Sequence, residues 1–437
     1  MALRRLIHQT LFLSACHFVV RVIGFIMRIW LSRELGTMAM GLVELSQSAQ
    51  MLLITPVVSG LPAAISRMCA KEDESGCRRV LKTGIFLSLA VSVPLMLLAF
   101  LLRVPLALWL GDVRTLPALM VYLPCLPVLG VSCALNGYYY GIGRPVPPAL
   151  SELLEQAVRF LLSMRLVSLF SDWPVTLRAA IPAAGALAGE TLGLLFMLLL
   201  ALQPLFFPLA GKAAKSRRQT LLELLSLTLP LTGMRLVSSL MRTVSSTLLP
   251  QRLALSGLTS AQALSQLGVM QGMMMPMIML PSFITCSLSA VAAPELARRQ
   301  AQGQPLLGLV RRSLAATLLI GLSAMAGIWL FAPLIAHSLY RQPELLLMLR
   351  RSCALIPVFA LTHVTGGMMN GLALQGKALR ISLASGFLCV LMTYTLPALP
   401  QLRIYGAIIA LSFGQLLTLL CSLAAIHREI SREYASQ

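Results

Sequence analysis

The sequence predicts an all-α polytopic membrane protein. About twelve transmembrane helices form two six-helix lobes, a parallel pseudo-two-fold repeat around a central cavity. Three observations predict it. The 437 residues are 57% hydrophobic and 11% charged with a mean hydropathy of +0.83, more apolar surface than a water-soluble core can hide. Apolar segments of about twenty residues recur, each long enough to cross a hydrocarbon layer of roughly 30 Å with its backbone hydrogen bonds satisfied internally. An arginine motif in the first apolar segment returns about half a chain later, as expected of a duplicated membrane protein.

The motif is Val-Arg-Val-Ile-Gly-Phe-Ile-Met-Arg, with Arg21 and Arg28 seven residues apart on one helix face beside His17 and Gly24. An arginine at the centre of a membrane helix costs roughly 2.5 to 3.5 kcal/mol on insertion scales, so this face belongs against a bundle interior or a water-filled cavity. The simpler alternative, snorkelling to the headgroups, suits a helix end better than the mid-segment Arg21. The recurrence is Met-Arg-Leu-Val-Ser-Ser-Leu-Met-Arg, where Arg235 and Arg242 share a stripe with Thr232, Ser239 and Ser246.

In chain order, a short basic start with Arg4 and Arg5 leads into a helix at about 10–31, without a small-residue cleavage pattern. Helix two, at about 40–66, ends in Ser59-Gly60-Leu61-Pro62, which weakens its last turns. The connection 67–82 is the most charged. Helices three and four follow at about 83–102 and 116–140, the latter closing on Asn136-Gly137 and three tyrosines suited to a membrane interface. Helix five, at about 150–170, is the most polar, with Glu152, Glu155, Gln156, Arg159 and Ser163 on one face; Glu155 and Arg159, four apart, are placed to pair. Helix six, at about 179–203, holds a lone Glu190. A basic linker at 211–220 separates lobe 1–210 from lobe 221–437. Helices seven to twelve fall at about 222–248, 264–293, 307–335, 346–372, 379–398 and 404–426. Helix eight contains a methionine-rich run at 270–277, suited either to helix packing or to a lipid chain. Leu126-Pro127-Val128 echoes Ile356-Pro357-Val358, and Asn136-Gly137 echoes Asn370-Gly371, marking Asn136 and Asn370 as candidate cavity positions.

Charge sets orientation and excludes several functions. Under the twelve-helix reading, with each connection counted together with the first two turns of the helix that follows, the termini and even connections hold 20 lysines and arginines and the odd connections 9, which puts both termini in the cytoplasm. The net charge of +20 is spread over short connections, without the basic patch and interleaved aromatics of a nucleic-acid binder. Nine cysteines without a CxxC pair give neither a disulfide framework nor a zinc site; no metal or cofactor is expected. No Gly-rich loop ending in Gly-Lys-Ser/Thr is present for an ATP-driven pump, and no acidic cluster suits a membrane enzyme.

Glu34-Leu35-Gly36 through Gly41, Ser-Gly-Leu-Pro-Ala-Ala-Ile-Ser-Arg at 59–67, and the run from Asn136 to Arg159 together resemble the polysaccharide-exporter branch of the multidrug/oligosaccharidyl-lipid/polysaccharide exporter superfamily. Within it the chain is most similar to the group of stage V sporulation protein B and the lipid II flippases. The resemblance implies a flippase that moves a polyprenyl-diphosphate-linked sugar or peptidoglycan precursor across the bacterial plasma membrane by alternating access. It implies substrate-binding roles for Arg21, Arg28, Arg235 and Arg242, membrane lipid and cell-wall synthesis enzymes as partners, and a monomer. Cavity or coupling roles are assigned to His17, Glu155, Arg159, Asn136 and Asn370. Many relatives have fourteen helices, and some bind sodium through a carboxylate that helices eleven and twelve here lack.

Residue chemistry points the same way: arginine presents a planar fork of donors suited to phosphate oxygens and stays charged when partly desolvated. The alternative within the superfamily is a multidrug or cation antiporter, which needs unpaired carboxylates. Glu44, Glu155, Glu190 and Glu223 are those available near helices.

Overall fold

The computed structural model describes residues 2–201 and 216–436, with side chains described over 12–201 and 216–432. Lys212 and Lys215 of the basic linker, and the side chains of Arg4 and Arg5, lie outside the described residues. The described chain is helical throughout. Its elements are α1 (Ala2–Val58), α2 (Leu61–Cys69), α3 (Glu74–Leu101), α4 (Arg103–Trp109), α5 (Leu116–Tyr122), α6 (Cys125–Gly141), α7 (Val146–Leu169), α8 (Val175–Arg178) and α9 (Ile181–Leu200). They continue as α10 (Arg217–Leu255), α11 (Ser260–Leu267), α12 (Met275–Met279), α13 (Ser282–Ala301), α14 (Leu307–Leu334), α15 (Pro343–Ser352), α16 (Leu355–Gly371), α17 (Gln375–Thr395) and α18 (Ile404–Ser436). A π-helical turn, Gly268–Met274, joins α11 to α12.

Seven helical stretches are long and apolar enough to cross a membrane, and up to ten if each of three bent pairs is one span. The distance from ten to the expected twelve has two physical sources. At 1.5 Å per residue the 57 residues of α1 run far past a bilayer of roughly 30 Å, and Gly36, at φ 80°, breaks the helix into two segments. The 24 residues of α7 are long enough to span, but Glu152, Glu155, Arg159 and Arg165 make it too polar to register as an apolar span.

One expected weak point is a real break. The helix stops at Ser59–Gly60 and restarts as α2 with Pro62 in its first turn. Gly60 also lies against the Thr228 backbone, where a side chain would collide. The methionine-rich run is a π-bulged, buried segment, with Met270, Met273, Met274 and Met277 inside the protein, so packing is its role.

Packing divides the described chain into two compact units: Met1–Trp30 with Leu42–Thr243, and Leu31–Gly41 with Val244–Gln437. Each has a bent helix at its centre. In the first unit the bent pair α5 and α6, 43° apart, packs through α6 on α2, α3 and α9, with α7 on α9. In the second, α15 and α16, 57° apart, pack through α16 on α13, α14 and α18, with α17 on α18. The same neighbours recur in the same order, so the repeat lies in the packing as well as the sequence.

The helix bounds fix its register at 230 residues: Cys125–Gly141 answers Leu355–Gly371, and positive-φ Gly111 and Gly143 answer Arg341 and Ala373. Gly137 and Gly141 press on α2 at Pro62 and Ser66, and Gly367 and Gly371 press on α13 at Ser289 and Ala293. This corrects the asparagine pairing. Asn136 corresponds to Gly366 and Asn370 to Tyr140, so the two asparagines are not equivalent positions. The arginines shift likewise: Arg21 and Arg242 each stand fifteen residues before a positive-φ glycine, Gly36 and Gly257, which pairs them one heptad away from the motif's own pairing.

Inside the second unit the corner 31–41 crosses α11 with no room for side chains. A methyl group on Gly41 would strike the Leu264 carbonyl oxygen, and one on Gly268 would strike that of Thr37. Thr37 and Leu264 each precede their glycine by four residues, so the contact is self-complementary, the signature of a local two-fold. Ser265 donates to Thr37 Oγ1 at 2.7 Å beside it. Gly268→Val and Gly371→Val are each expected to destabilise the protein by about 1–3 kcal/mol through overpacking. Gly366→Ala, which meets open space, is expected to be neutral or slightly stabilising. Thermal unfolding of the detergent-solubilised protein separates the two outcomes.

Candidate functional site

The charges of the first unit's membrane-spanning helices form a series of ties between neighbouring helices. Arg28 and Glu44 lie eight residues either side of Gly36, and the Arg28 guanidinium donates to the Glu44 carboxylate. Along a straight helix sixteen residues would separate them by about 24 Å, so the ion pair records that α1 doubles back at Gly36. Glu44 is buried and Arg28 half-buried, which makes this a largely desolvated tie.

The first segment of α1 runs beside α7 in the same direction. His17 Nδ1 lies 2.9 Å from Glu152 Oε2, Gly24 lies against the Gln156 side chain, and Trp30 meets Phe160 edge to face with centroids 6.4 Å apart. Part of the stripe read from the sequence, His17 and Gly24, therefore faces the most polar helix. Arg21 is exposed and has interaction partners of its own.

Arg159 does not pair with Glu155, and here the i, i+4 expectation is corrected. Its Nη2 donates to Glu190 Oε1 at 3.2 Å, across to α9, while Glu155 Oε1 accepts from Ser151 Oγ at 2.8 Å within α7. The cause is the closeness of α7 and α9. Gly185, Gly189 and Gly193 form a stripe of small residues along α9 that brings Ser163, the Glu155 backbone and the Glu155 side chain into contact. With the helices this close, Glu190 reaches Arg159 directly. The four-residue glycine spacing is the sequence signal for this contact, and it was legible beside the lone Glu190.

The second arginine helix, α10, packs on the second segment of α1. Thr243 Oγ1 donates to the Ser48 carbonyl at 2.9 Å, and Thr228 lies against Gly60, so the two helices run antiparallel. Arg242 is thereby level with Ser48, one helical turn from Glu44, and Arg235 lies about 10 Å further along. The expected polar stripe divides: Ser239 and Ser246 are buried in packing beside Thr243, Thr232 is half-buried, and Arg235 and Arg242 are exposed. Among the described residues neither arginine makes an ion pair with a carboxylate. A related tie in the second unit uses neutral groups, Gln271 Nε2 to Ser246 Oγ at 3.2 Å. Asn136 is half-buried, and Asn370 is exposed with its backbone carbonyl accepting from Gln375; neither joins the charged set. No group of His, Cys, Asp and Glu suited to a metal occurs among the described residues.

The arrangement has known relatives. A family profile described as polysaccharide biosynthesis protein matches residues 6–300. Stage V sporulation protein B of Bacillus subtilis (strain 168) is 28% identical over 457 residues, spanning 100% of this chain and 87% of that protein. Sporulation protein YkvU of the same organism is 22% identical over 444 residues, spanning 95% and 93%. Among solved structures, an inward-facing multidrug resistance MATE family transporter of the MOP superfamily matches with a TM-score of 0.75 at 16% identity, covering 96% of this chain and 98% of that one. Lipid II flippase MurJ in an inward closed conformation matches with a TM-score of 0.72 at 12% identity, covering 97% and 90%. A Pyrococcus furiosus MOP superfamily transporter, whose reverse polarity of binding pocket is described as suggesting a different function, matches with a TM-score of 0.67 at 17% identity, covering 97% and 95%. At these identities the structural likeness establishes the fold.

Glu190→Gln is expected to destabilise the protein by about 1–3 kcal/mol, because it leaves the partly buried Arg159 charge without an ionised partner. Glu155→Gln, which keeps an acceptor for Ser151, should cost far less, and Arg159→Met combined with Glu190→Leu should recover most of the loss. A thermal double-mutant cycle measures this; coupling of Arg159 to Glu155 rather than Glu190 would contradict the assigned pair.

Proposed function

Because the chain belongs to the polysaccharide biosynthesis protein family, a family of multi-pass membrane transporters rather than enzymes, we propose that it flips a polyprenyl-diphosphate-linked sugar or peptidoglycan precursor across the plasma membrane. Six-helix lobes 1–210 and 221–437, joined by the linker 211–220, would alternate access to a cavity in which Arg21, Arg28, Arg235 and Arg242 receive the diphosphate. Both termini would be cytoplasmic, as the 20 to 9 bias of basic residues favours. A monomer is sufficient for this cycle, with cell-wall synthesis enzymes as sources and acceptors of the lipid.

The observation that carries the reading is the state of the intramembrane charges. The carboxylates of the first unit's helices are engaged: Glu44 by Arg28, Glu190 by Arg159, Glu152 by His17, and Glu155 by Ser151. Glu223 also has interaction partners. Among the described residues Arg235 and Arg242 remain exposed without a carboxylate, inside a helix long and apolar enough to span. A cation antiporter needs the opposite balance. The likeness in fold to a protein described as a lipid II flippase supports a lipid-linked cargo.

In the cycle, the cargo's negative charge would offset the mutual repulsion of the arginines and stabilise whichever state gathers them most closely, so that release requires the lobes to part. Glu44 holds Arg28 at the Gly36 corner, which makes Arg28 the positioned member of the set. Outward passage of an anion is favoured by a negative interior, by about 2.3 kcal/mol per charge per 100 mV.

Binding of an undecaprenyl-diphosphate-linked sugar to the purified protein tests the site. Arg21→Ala and Arg235→Ala are each expected to weaken it by about tenfold or more, the worth of a charge-assisted hydrogen bond. A lipophilic cation that binds equally well to wild type and both variants, with no lipid-diphosphate binding, would favour the antiporter. In proteoliposomes, collapse of an interior-negative potential is expected to slow outward flipping, and indifference to the potential would remove it as the drive.

A further inference from the structure

The two ends of the second unit treat their basic side chains differently. At the end where α13 finishes and α17 begins, three basic groups are held by acids, Arg298 and Arg299 by Glu295 at 3.0 and 2.8 Å and Lys377 by Glu429 at 2.8 Å, beside Arg311, Arg312, Arg380 and Arg428. At the opposite end, where α10, α14 and α17 finish, residues 250–263, 335–354 and 396–405 contain five arginines and a single acid, Glu344. Three of these arginines lie over aromatic rings. Arg252 sits 3.4 Å above the Tyr394 ring centroid, Arg351 4.6 Å from Tyr405, and Arg350 5.3 Å from Trp329. A ring holds a guanidinium in place without cancelling its charge or occupying its in-plane N–H donors. Trp329 and Tyr394 are themselves exposed, as side chains of a membrane interface belt are. Arg252 Nε is buried without a hydrogen-bond partner.

The other two arginines of this end, Arg341 and Arg403, adopt positive φ, 55° and 47°, in the left-handed region that costs a non-glycine residue about 1 kcal/mol or more. The repeat supplies the comparison. The position equivalent to Arg341 in the first unit is Gly111, at φ 81°, where the corner is made without strain. Beside Gly111, Arg114 is neutralised by Asp112 at 2.7 Å. One repeat builds this corner from a glycine and a closed ion pair; the other keeps a strained arginine and leaves its neighbours cationic.

We propose that this end of the second unit is a binding surface for the phosphodiester headgroups of anionic phospholipids, separate from the transport cavity. Aromatic rings set the depth at the interface, the ring-held guanidinia of Arg252, Arg350 and Arg351 receive phosphate oxygens, and Arg341 and Arg403 extend the rim. In a membrane an anionic headgroup is the abundant partner at this depth that offers oxygens to a planar fork of donors.

The test is native mass spectrometry of the purified full-length protein titrated with phosphatidylglycerol or with phosphatidylcholine of matched chains. Wild type is expected to retain phosphatidylglycerol at about tenfold lower concentration, one charge-assisted contact's worth of preference. Arg252→Gln and the double variant Arg350→Gln with Arg351→Gln should lose that preference, and Arg298→Gln with Arg299→Gln should keep it. Arg252→Lys, Arg350→Lys and Arg351→Lys retain charge without the stacked fork and should keep part of it, which preserves the comparison if a glutamine variant fails to fold. Equal retention of the two lipids by wild type, or a preference that survives the glutamine variants, overturns the proposal. So does displacement of the lipid by inorganic phosphate, which would assign the surface to a free anion. Loss of preference in Arg235→Ala would place the lipid in the transport cavity and overturn the separate surface while leaving the transport reading intact.

Discussion

An ionised side chain in a membrane must find a partner on a neighbouring helix or open onto water, and the charged residues of this protein are arranged by that constraint. The Arg28–Glu44 pair shows it most directly. The two groups meet because Gly36 breaks α1, and their contact ties its two segments together beside that break. His17 with Glu152 and Arg159 with Glu190 repeat the device from α1 to α7 and from α7 to α9, so the polar helix α7 is held on both sides. A helix with four charged residues is a poor membrane span alone and an acceptable one between partners.

Close helix approach is the second requirement. Coulombic ties are effective only when the helices are near enough for short side chains to meet, and glycine provides that nearness. Gly185, Gly189 and Gly193 bring α9 against α7; Gly137 and Gly141, with Gly367 and Gly371, seat each central bent helix on its neighbour. At Gly41 and Gly268 backbone meets backbone most closely and the contact is self-complementary, which makes the duplication visible as a physical contact within the second unit.

The duplication is not a copy of chemistry. Where one repeat places Arg28 and Glu44 at its helix corner, the other makes a related tie with Ser246 and Gln271. Where one places Gly111, the other places Arg341. Shared packing positions keep the fold, and the polar positions are left to differ. The buried anion–cation pairs lie in the first unit's spanning helices, and the ring-supported arginines gather at one end of the second.

Composition and the recurring arginine motif by themselves determined the membrane class, the helical content, the repeat, and the approximate limits of the helices, because segment length and hydropathy are local properties. The break at Gly60 was also legible, since glycine and proline act on their own turns, and Gly36 falls in the gap left between the first two expected helices. Partner choice was not. Glu155 stands four residues from Arg159, yet Glu190, thirty-one residues away, holds it, because the α9 glycine stripe makes the interhelical route shorter than the intrahelical one. The register of the repeat likewise required tertiary structure, which pairs Asn136 with Gly366 and Arg21 with Arg242 where the motifs suggested other matches. Sequence spacing fixes which face of a helix a charge occupies; only packing decides which neighbour that face meets.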